Sequence, residues 1–253
     1  MSIKIIVAAH KPYWMPSDPV YLPVHVGAEG KKDIGYPPDN TGENISIKNP
    51  NFCELTGLYW AWKNLDADYL GLVHYRRYFT RKEVHSIEGK KKQILTEPEW
   101  TALLAQHPVI VPDKRNYYIE TNCSHYNHAH HPEGLDMTEQ IIKEVYPEYM
   151  SAFETVMNRT WAHMFNMFVM RNDYFQSYME WLFSILFGLE KRLDISNWDS
   201  YDSRVYGFVA ERLLDVWMEY NKINYAEQNV SFMEKQNWIK KGGLFLKRKL
   251  FGK

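Results

Sequence analysis

Cysteine is scarce in this chain: only Cys53 and Cys123 occur among 253 residues. Two cysteines build no disulfide framework, and their separation fits no metal knuckle, so a reducing cytosol is the expected compartment. No apolar run approaches the roughly 18 residues of a membrane span. The amino terminus lacks a basic region followed by an apolar stretch and cleavage site, so no signal peptide is expected. Charge of one sign is also missing, with 30 Lys and Arg against 31 Asp and Glu and a formal net charge of -1. A general nucleic-acid binder needs a basic face, so that class is disfavoured. The chain has no G-x-S-x-G elbow and no cysteine in a reactive setting, which removes the common nucleophilic hydrolases. It has neither G-x-G-x-x-G nor a Walker loop, which removes the usual dinucleotide and nucleoside-triphosphate folds. There is no internal repeat and no low-complexity segment.

Aromatic residues are plentiful, with 18 Tyr, 12 Phe and 9 Trp. Many must pack in the core. A surplus of Tyr and Trp also suits carbohydrate, whose C–H faces stack on rings while hydroxyls find polar partners.

Strands and helices alternate. Ile3 to Ala9 is β-branched and reads as a central strand running into His10-Lys11-Pro12, and Tyr21 to Val26 is a shorter one. Residues 27–48 are rich in Gly, Pro, Asp and Asn and form a long loop, of a length that usually serves function. Asn49-Pro50 is expected to start a helix, with Asn49 as N-cap and Leu55, Leu58, Tyr59 and Trp62 on its apolar face. A buried strand follows over Tyr69 to His74, then an exposed excursion over residues 81–92. Thr96-Glu97-Pro98-Glu99 fits a capping box opening a helix to about Gln106, and Pro108 to Pro112 is a short strand. Residues 113–135 read as a second irregular stretch. Asp136 and Glu139 mark a further helix start, and Pro147 begins another helix. A strand is expected over Met164 to Met170, and helices over Asp173 to Leu193 and Ser203 to Tyr220. This alternation predicts an α/β fold with a mostly parallel central sheet flanked by helices. A domain over residues 1–235 would be followed by a basic amphipathic tail over 236–253.

The stretch Gly71-Leu72-Val73-His74-Tyr75-Arg76-Arg77-Tyr78-Phe79 carries the most chemistry. An apolar strand empties into His-Tyr-Arg-Arg-Tyr, and open α/β sheets bind ligands past the carboxyl ends of their strands. Two guanidinium forks suit a phosphate or diphosphate, and the tyrosines, Tyr75 among them, suit a sugar or base. A surface Arg pair bonded to acidic loops would look the same. His125, His128, His130 and His131 fall within seven residues. They fit a substrate-facing loop, a zinc site or plain surface, although no H-E-x-x-H or Cys partner accompanies them. Asp194, Asp199 and Asp202 precede the last helix, in which Arg204 and Glu211 share a face, as do Glu211 and Asp215. Any one of these carboxylates could be a base for a sugar hydroxyl or half of a salt bridge. Beyond Trp238 the tail holds six basic residues and no acid between Lys240 and Lys253. With Leu244, Phe245, Leu246, Leu250 and Phe251 it fits a peripheral anchor on an anionic bilayer, or a solvated terminus.

Several blocks occur together and in order: Ala9-His10-Lys11-Pro12-Tyr13, Asn44-Ile45-Ser46-Ile47-Lys48-Asn49, Glu54 to Asn64, Gly71 to Phe79, Asn166 to Met170, and Arg204 to Leu213. In these the chain resembles the domain-of-unknown-function family found in bacterial capsule, exopolysaccharide and O-antigen loci, over about residues 2–230. Members of that family are regarded as glycosyltransferases, and characterised relatives transfer galactose, notably as galactofuranose.

The resemblance implies a GT-A-like nucleotide-sugar fold, a UDP-sugar donor and a polyprenyl-linked glycan acceptor. It implies an enzyme in the cytoplasm, peripheral to the inner face of the plasma membrane. Carried onto this sequence, His10, Lys11, Asn44 and Ser46 would hold the nucleotide, with Tyr59, Lys63, Tyr75, His128, His131, Asn166 and Arg204 also facing substrate. His74 to Arg77 stand where many such enzymes carry a metal-binding Asp-x-Asp. The absence of a carboxylate there favours transfer without Mn²⁺ or Mg²⁺, the diphosphate being neutralised by His74, Arg76 and Arg77. Asp66 and Asp68, just upstream, keep a displaced metal site open. An inverting displacement needs one base, expected at Glu211 with Asp202 and Asp136 as substitutes. Two other classes compete: a non-catalytic carbohydrate- or nucleotide-sugar-binding module of a polysaccharide assembly complex, and a metal-dependent hydrolase built on His125 to His131.

Overall fold

The computed structural model describes residues 1–234, so the expectations for the tail over 236–253 lie outside the described residues. The chain runs β1 (Ile3–Ala9), β2 (Tyr21–His25), α1 (Asn49–Phe52), α2 (Leu55–Asn64), β3 (Tyr69–His74) and β4 (Arg77–Phe79). It continues through α3 (Ile87–Gln93), α4 (Glu97–Leu104), β5 (Val109–Pro112), β6 (Arg115–Asn116), α5 (Asn122–Ala129), α6 (Pro132–Val145) and α7 (Met150–Asn158). The last elements are β7 (Trp161–Ala162), β8 (Phe168–Arg171), α8 (Asn172–Arg192), α9 (Val205–Tyr220), β9 (Tyr225–Gln228) and β10 (Val230–Phe232).

The expected α/β architecture with a mostly parallel sheet is present. β1 pairs in parallel with β2 on one side and β3 on the other, and β5 pairs in parallel with β9. Only β8, between β3 and β5, and the β4–β10 extension run antiparallel within this sheet. Period-two alternation assigns the strand faces. Ile6 and Ala8 of β1 join the larger core with α2 and α6 to α9, while Ile5, Val7 and Ala9 join the smaller one with Trp100 and Leu104 of α4. Each face of the sheet is therefore covered, as buried parallel strands require. β3 and β8 lie so close that a Cβ on Gly71 would sit 2.5 Å from the Phe168 carbonyl oxygen. No helix of the described residues is long and apolar enough to cross a membrane.

Several boundaries differ from those expected, each for a local reason. The helix predicted from Asn49 is broken at Cys53, whose φ is 53°. Asn49 is not its N-cap; its amide instead bridges the break, donating to the Cys53 carbonyl at 2.7 Å and to Thr56 Oγ1 at 3.1 Å. The stretch 113–135, read as irregular, contains α5, which is held by a reciprocal cap between Thr121 and Ser124. Its Asn122 is fully buried, donating to the carbonyls of Val156 and Trp161. The next helix starts at Pro132 rather than Asp136, again with proline in the first turn. The strand expected over Met164 to Met170 begins only at Phe168, because Phe165 and Asn166 adopt φ of 78° and 53°. The excursion over 81–92 contains most of α3, capped by Ser86.

The long loop 27–48 is ordered by one buried carboxylate. Asp39 accepts from the Gly27 and Ala28 amides at 2.8 and 3.0 Å, from Ser46 Oγ at 2.5 Å and from Thr56 Oγ1 at 2.6 Å. Gly27 needs its positive φ of 63° for this, and a Cβ there would strike Asn49.

Candidate active site

The carboxyl ends of β1 and β3 open into a cleft of about 2170 Å³. Its remaining walls come from the α1–α2 break, the amino-terminal half of α9, the segment before β8, and α5 with the residues that follow it. The sheet supplies His10 and the His74–Arg77 turn. In that turn, His74 pairs across to Arg77 as β3 reverses into β4.

The floor is polar and closely interlocked. His74 Nε2 lies 2.6 Å from the Phe165 carbonyl oxygen. A carbonyl only accepts, so Nε2 carries the proton and Nδ1 the lone pair. Burial pushes this imidazole below its usual range; Glu54 opposes that shift, while Arg77 and Arg76 add to it. His74 is thus a neutral ring holding the Phe165–Asn166 segment, and it brings no positive charge to the cleft. The same segment binds two carboxylates. The Phe165 amide donates to Glu211 Oε1 at 3.1 Å, and Asn166 Nδ2 donates to Glu54 Oε1 at 2.8 Å. Glu211 Oε2 accepts from Arg212 at 2.8 Å. Burial raises the Glu211 carboxyl above the ordinary range, Glu54 adds to this, and Arg212, the Phe165 amide and Arg77 oppose it.

Cations converge above this floor. Burial lowers the His10 pKa, and Arg76, Lys11, Lys31 and Arg204 all push it further down. A group that feels four cations reports a strongly positive potential at the end of β1. The Arg77 guanidinium is packed against the rings of Phe165 and Phe232, 4.6 and 5.3 Å from their centroids. Its buried Nε has no hydrogen-bond partner among the described residues. Arg76 pairs with Glu234 at 3.1 Å and lies over the Tyr75 ring. Arg204 Nε donates to Cys53 Sγ at 3.0 Å. Burial pushes that thiol up to about 11, so Cys53 is a packing partner and not a nucleophile.

Of the residues expected from sequence, His10, His74, Tyr75, Arg76, Arg77, His128, His131, Arg204 and Glu211 line this one cleft. Lys11 stands beside it, over the Tyr75 ring. Asn166 lies beneath it, and Asp202 meets His131 at 3.2 Å. Other expected residues are not brought there. Ser46 spends its hydroxyl on Asp39, and Asn44 is tied to the Gly42 carbonyl and the Ser46 amide. Tyr59 and Lys63 both contact Glu43, at 2.8 and 3.6 Å. Asp136 is exposed on α6. Asp215, expected to share a face with Glu211, is buried against His163 Nδ1 at 2.5 Å. Asp68 pairs with the chain's amino terminus and Ser2 at the start of β3, the opposite end of the strand from the cleft. The histidine cluster does not converge on a metal: His125 and His128 both bond Glu120. Among the described residues no group of three His, Cys, Asp or Glu side chains is placed to hold one. Sequence reasoning gave no role to Glu54, Glu120 or Arg212, which line the cleft; Glu54 and Arg212 lie inside two of the blocks that carry the resemblance, whereas Glu120 stands in no motif.

A family model described as a domain of unknown function, DUF4422, matches residues 4–222. Among solved structures, the apo form of the WbbM bifunctional glycosyltransferase superposes with a TM-score of 0.86 at 32% identity. That match covers 93% of this chain and 46% of the other, so this chain spans under half the length of its structural relative. No curated protein matches the chain.

Proposed function

The chain belongs to the DUF4422 family, and on that footing we propose that it is a glycosyltransferase. The observation that carries the reading is the pairing of a cationic strand end with a half-buried carboxylate of raised pKa in one cleft. Lys11, Lys31, Arg76 and Arg204 surround His10, while Glu211 sits on the floor with its carboxyl raised by burial. The structural likeness to a glycosyltransferase supports the same reading.

In chemical terms, the donor is a UDP-sugar whose diphosphate lies over Arg76, Arg77 and Arg204, with His10 and Tyr75 beside the nucleoside. Guanidinium forks neutralise charge on the departing diphosphate, and such fixed donors contribute several kcal/mol to a transition state. Glu211 accepts the proton of the attacking hydroxyl. Its raised pKa makes it a stronger base than an ordinary glutamate, and each of its oxygens keeps a lone pair beyond the bonds already made. The new C–O bond forms as the anomeric C–O bond to the diphosphate breaks, with inversion. The cation role in this scheme is filled by arginine, with no divalent metal required. The transferred sugar is a hexose, read as galactose in pyranose or furanose form. Its acceptor is a polyprenyl-linked glycan of a growing bacterial surface polysaccharide. The six basic residues from Lys240 to Lys253 would bring the enzyme to the anionic inner face of that membrane.

The test is UDP release from a panel of UDP-sugars, run in parallel with EDTA and with Mn²⁺. Release from one donor in EDTA is expected, and Glu211→Gln should slow it by about 10²–10⁴-fold. Release only with Mn²⁺ overturns the arginine assignment. UDP binding without turnover on any donor or acceptor, indifferent to Glu211→Gln, would make the chain a binding module instead.

A further inference from the structure

We propose that the wall formed by Glu120, His125 and His128 is a subsite for an acceptor sugar, with His128 Nε2 accepting a hydrogen bond from one of its hydroxyls. This rests on the glycosyl-transfer reading and adds to it where the acceptor is held. Glu120 is 8% exposed and accepts from two rings, His125 Nδ1 at 3.0 Å and His128 Nδ1 at 2.9 Å. Burial pushes the Glu120 carboxyl up, but the bonds from His125 and His128 outweigh it and hold the group below the ordinary carboxylate range. An ionised carboxylate can only accept, so both Nδ1 atoms carry protons. In its neutral form, the His128 ring therefore has its lone pair on Nε2 and on no other atom. That ring is 70% exposed and lines the cleft.

The orientation is fixed from behind. His125 lies flat on Tyr117, with centroids 4.0 Å apart and planes at 22°. The Tyr117 hydroxyl in turn donates to Met164 Sδ at 2.9 Å. The Thr121–Ser124 cap starts α5 one residue beyond Glu120, so its carboxylate and the two imidazoles share one rigid frame.

The ligand class follows from what this wall offers. A lone pair backed by a carboxylate repels anions, so the wall does not extend the phosphate site. Among the described residues, no group of three side chains that includes His125 and His128 is placed to hold a metal ion, Glu120 being bonded to both rings. What remains is a neutral donor, and sugar hydroxyls are that.

The test is saturation-transfer NMR on the full chain with UDP present. The probes are methyl β-galactopyranoside, methyl β-glucopyranoside, methyl α-mannopyranoside and methyl α-rhamnopyranoside, and calorimetry measures UDP affinity in parallel. The wild type should bind at least one glycoside. His128→Ala, at an exposed helical position, should weaken that binding at least tenfold and leave UDP affinity within twofold. Glu120→Gln, whose amide can donate and so frees the ring tautomer, should fall between the two. Glycoside binding absent from the wild type, or unchanged in His128→Ala, overturns the proposal. A parallel loss of UDP and glycoside affinity in His128→Ala also overturns it, because His128 would then serve the donor. Failure of the wild type to bind UDP, with glycoside binding still lost in His128→Ala, would sink the nucleotide-sugar reading and leave the subsite standing.

Discussion

Two long loop regions flank the sheet, and a single carboxylate organises each of them to a different end. In the loop 27–48, Asp39 has no exposed surface, and its four donors are backbone amides and hydroxyls. None of those donors changes charge, so the arrangement is fixed and faces nothing. In the wall 113–131, Glu120 keeps some exposure and its donors are imidazoles, which change charge in the range where cells live and present a second nitrogen elsewhere. A carboxylate bonded to inert donors makes scaffold. A carboxylate bonded to histidines makes a surface that can recognise something.

The sharpest way to break this contrast is to remove each carboxylate. Asp39→Ala leaves the Gly27 and Ala28 amides and two hydroxyls without their acceptor inside the fold, and each orphaned buried group costs about 1–3 kcal/mol. Some hydroxyls will turn to other partners, so a net loss of about 4 kcal/mol is expected from urea denaturation. Glu120→Ala, nearer solvent, should cost about 1 kcal/mol by the same measurement. Equal losses in the two variants would remove the distinction.

The same contrast explains what could be read in advance. β1 and β3 were legible because β-branched and apolar runs fix a buried strand, and α4 because Thr96 and Glu99 cap each other within four residues. The cleft's arginines and its floor carboxylate were legible for a related reason: Arg76 and Arg77 follow a strand directly, and Arg204 and Glu211 share a helix face. α5 was not legible. Its sequence, Asn-Cys-Ser-His-Tyr-Asn-His-Ala, has low helix propensity, and it is stabilised by Asn122 bonds to residues more than thirty positions away. The strand expected over Met164 to Met170 starts only at Phe168 because left-handed Phe165 and Asn166 are held by His74, Glu211 and Glu54, all distant in sequence. Asp39 and Glu120 themselves carry no motif, since only the fold brings their donors together.

Acid pH should separate the two regions further. Burial lowers the His125 pKa, with Arg212 and Arg115 adding to this and Glu120 opposing it. The Glu120 carboxyl is also held low. Both folded values lie below the unfolded ones, so the folded state binds fewer protons at acid pH and stability falls as pH falls. The loss begins below the ordinary histidine value of about 6.5 and extends through the carboxylate range. Comparing thermal melts at pH 7.5 and 5.5, the wild type should lose stability at pH 5.5, and His125→Phe should lose less. An equal loss in both proteins would assign the pH dependence to another part of the molecule.

The smallest expected effect is the most discriminating. His128 is mostly exposed, and among the described residues truncation removes its hydrogen bond to Glu120 from the wall's frame. An exposed pair of this kind contributes about 0–1 kcal/mol. His128→Ala should therefore shift urea stability by less than about 0.5 kcal/mol. Ser46→Ala is a truncation of similar size on the inert loop, but it deletes a buried donor to Asp39 and should cost about 1–2 kcal/mol. If His128→Ala proves as costly as Ser46→Ala, then His128 braces the wall as Ser46 braces the loop, and the two regions are one kind of scaffold. If it proves nearly free, the stability of the wall lies in Glu120, His125 and Tyr117, and the exposed ring is left available to a ligand.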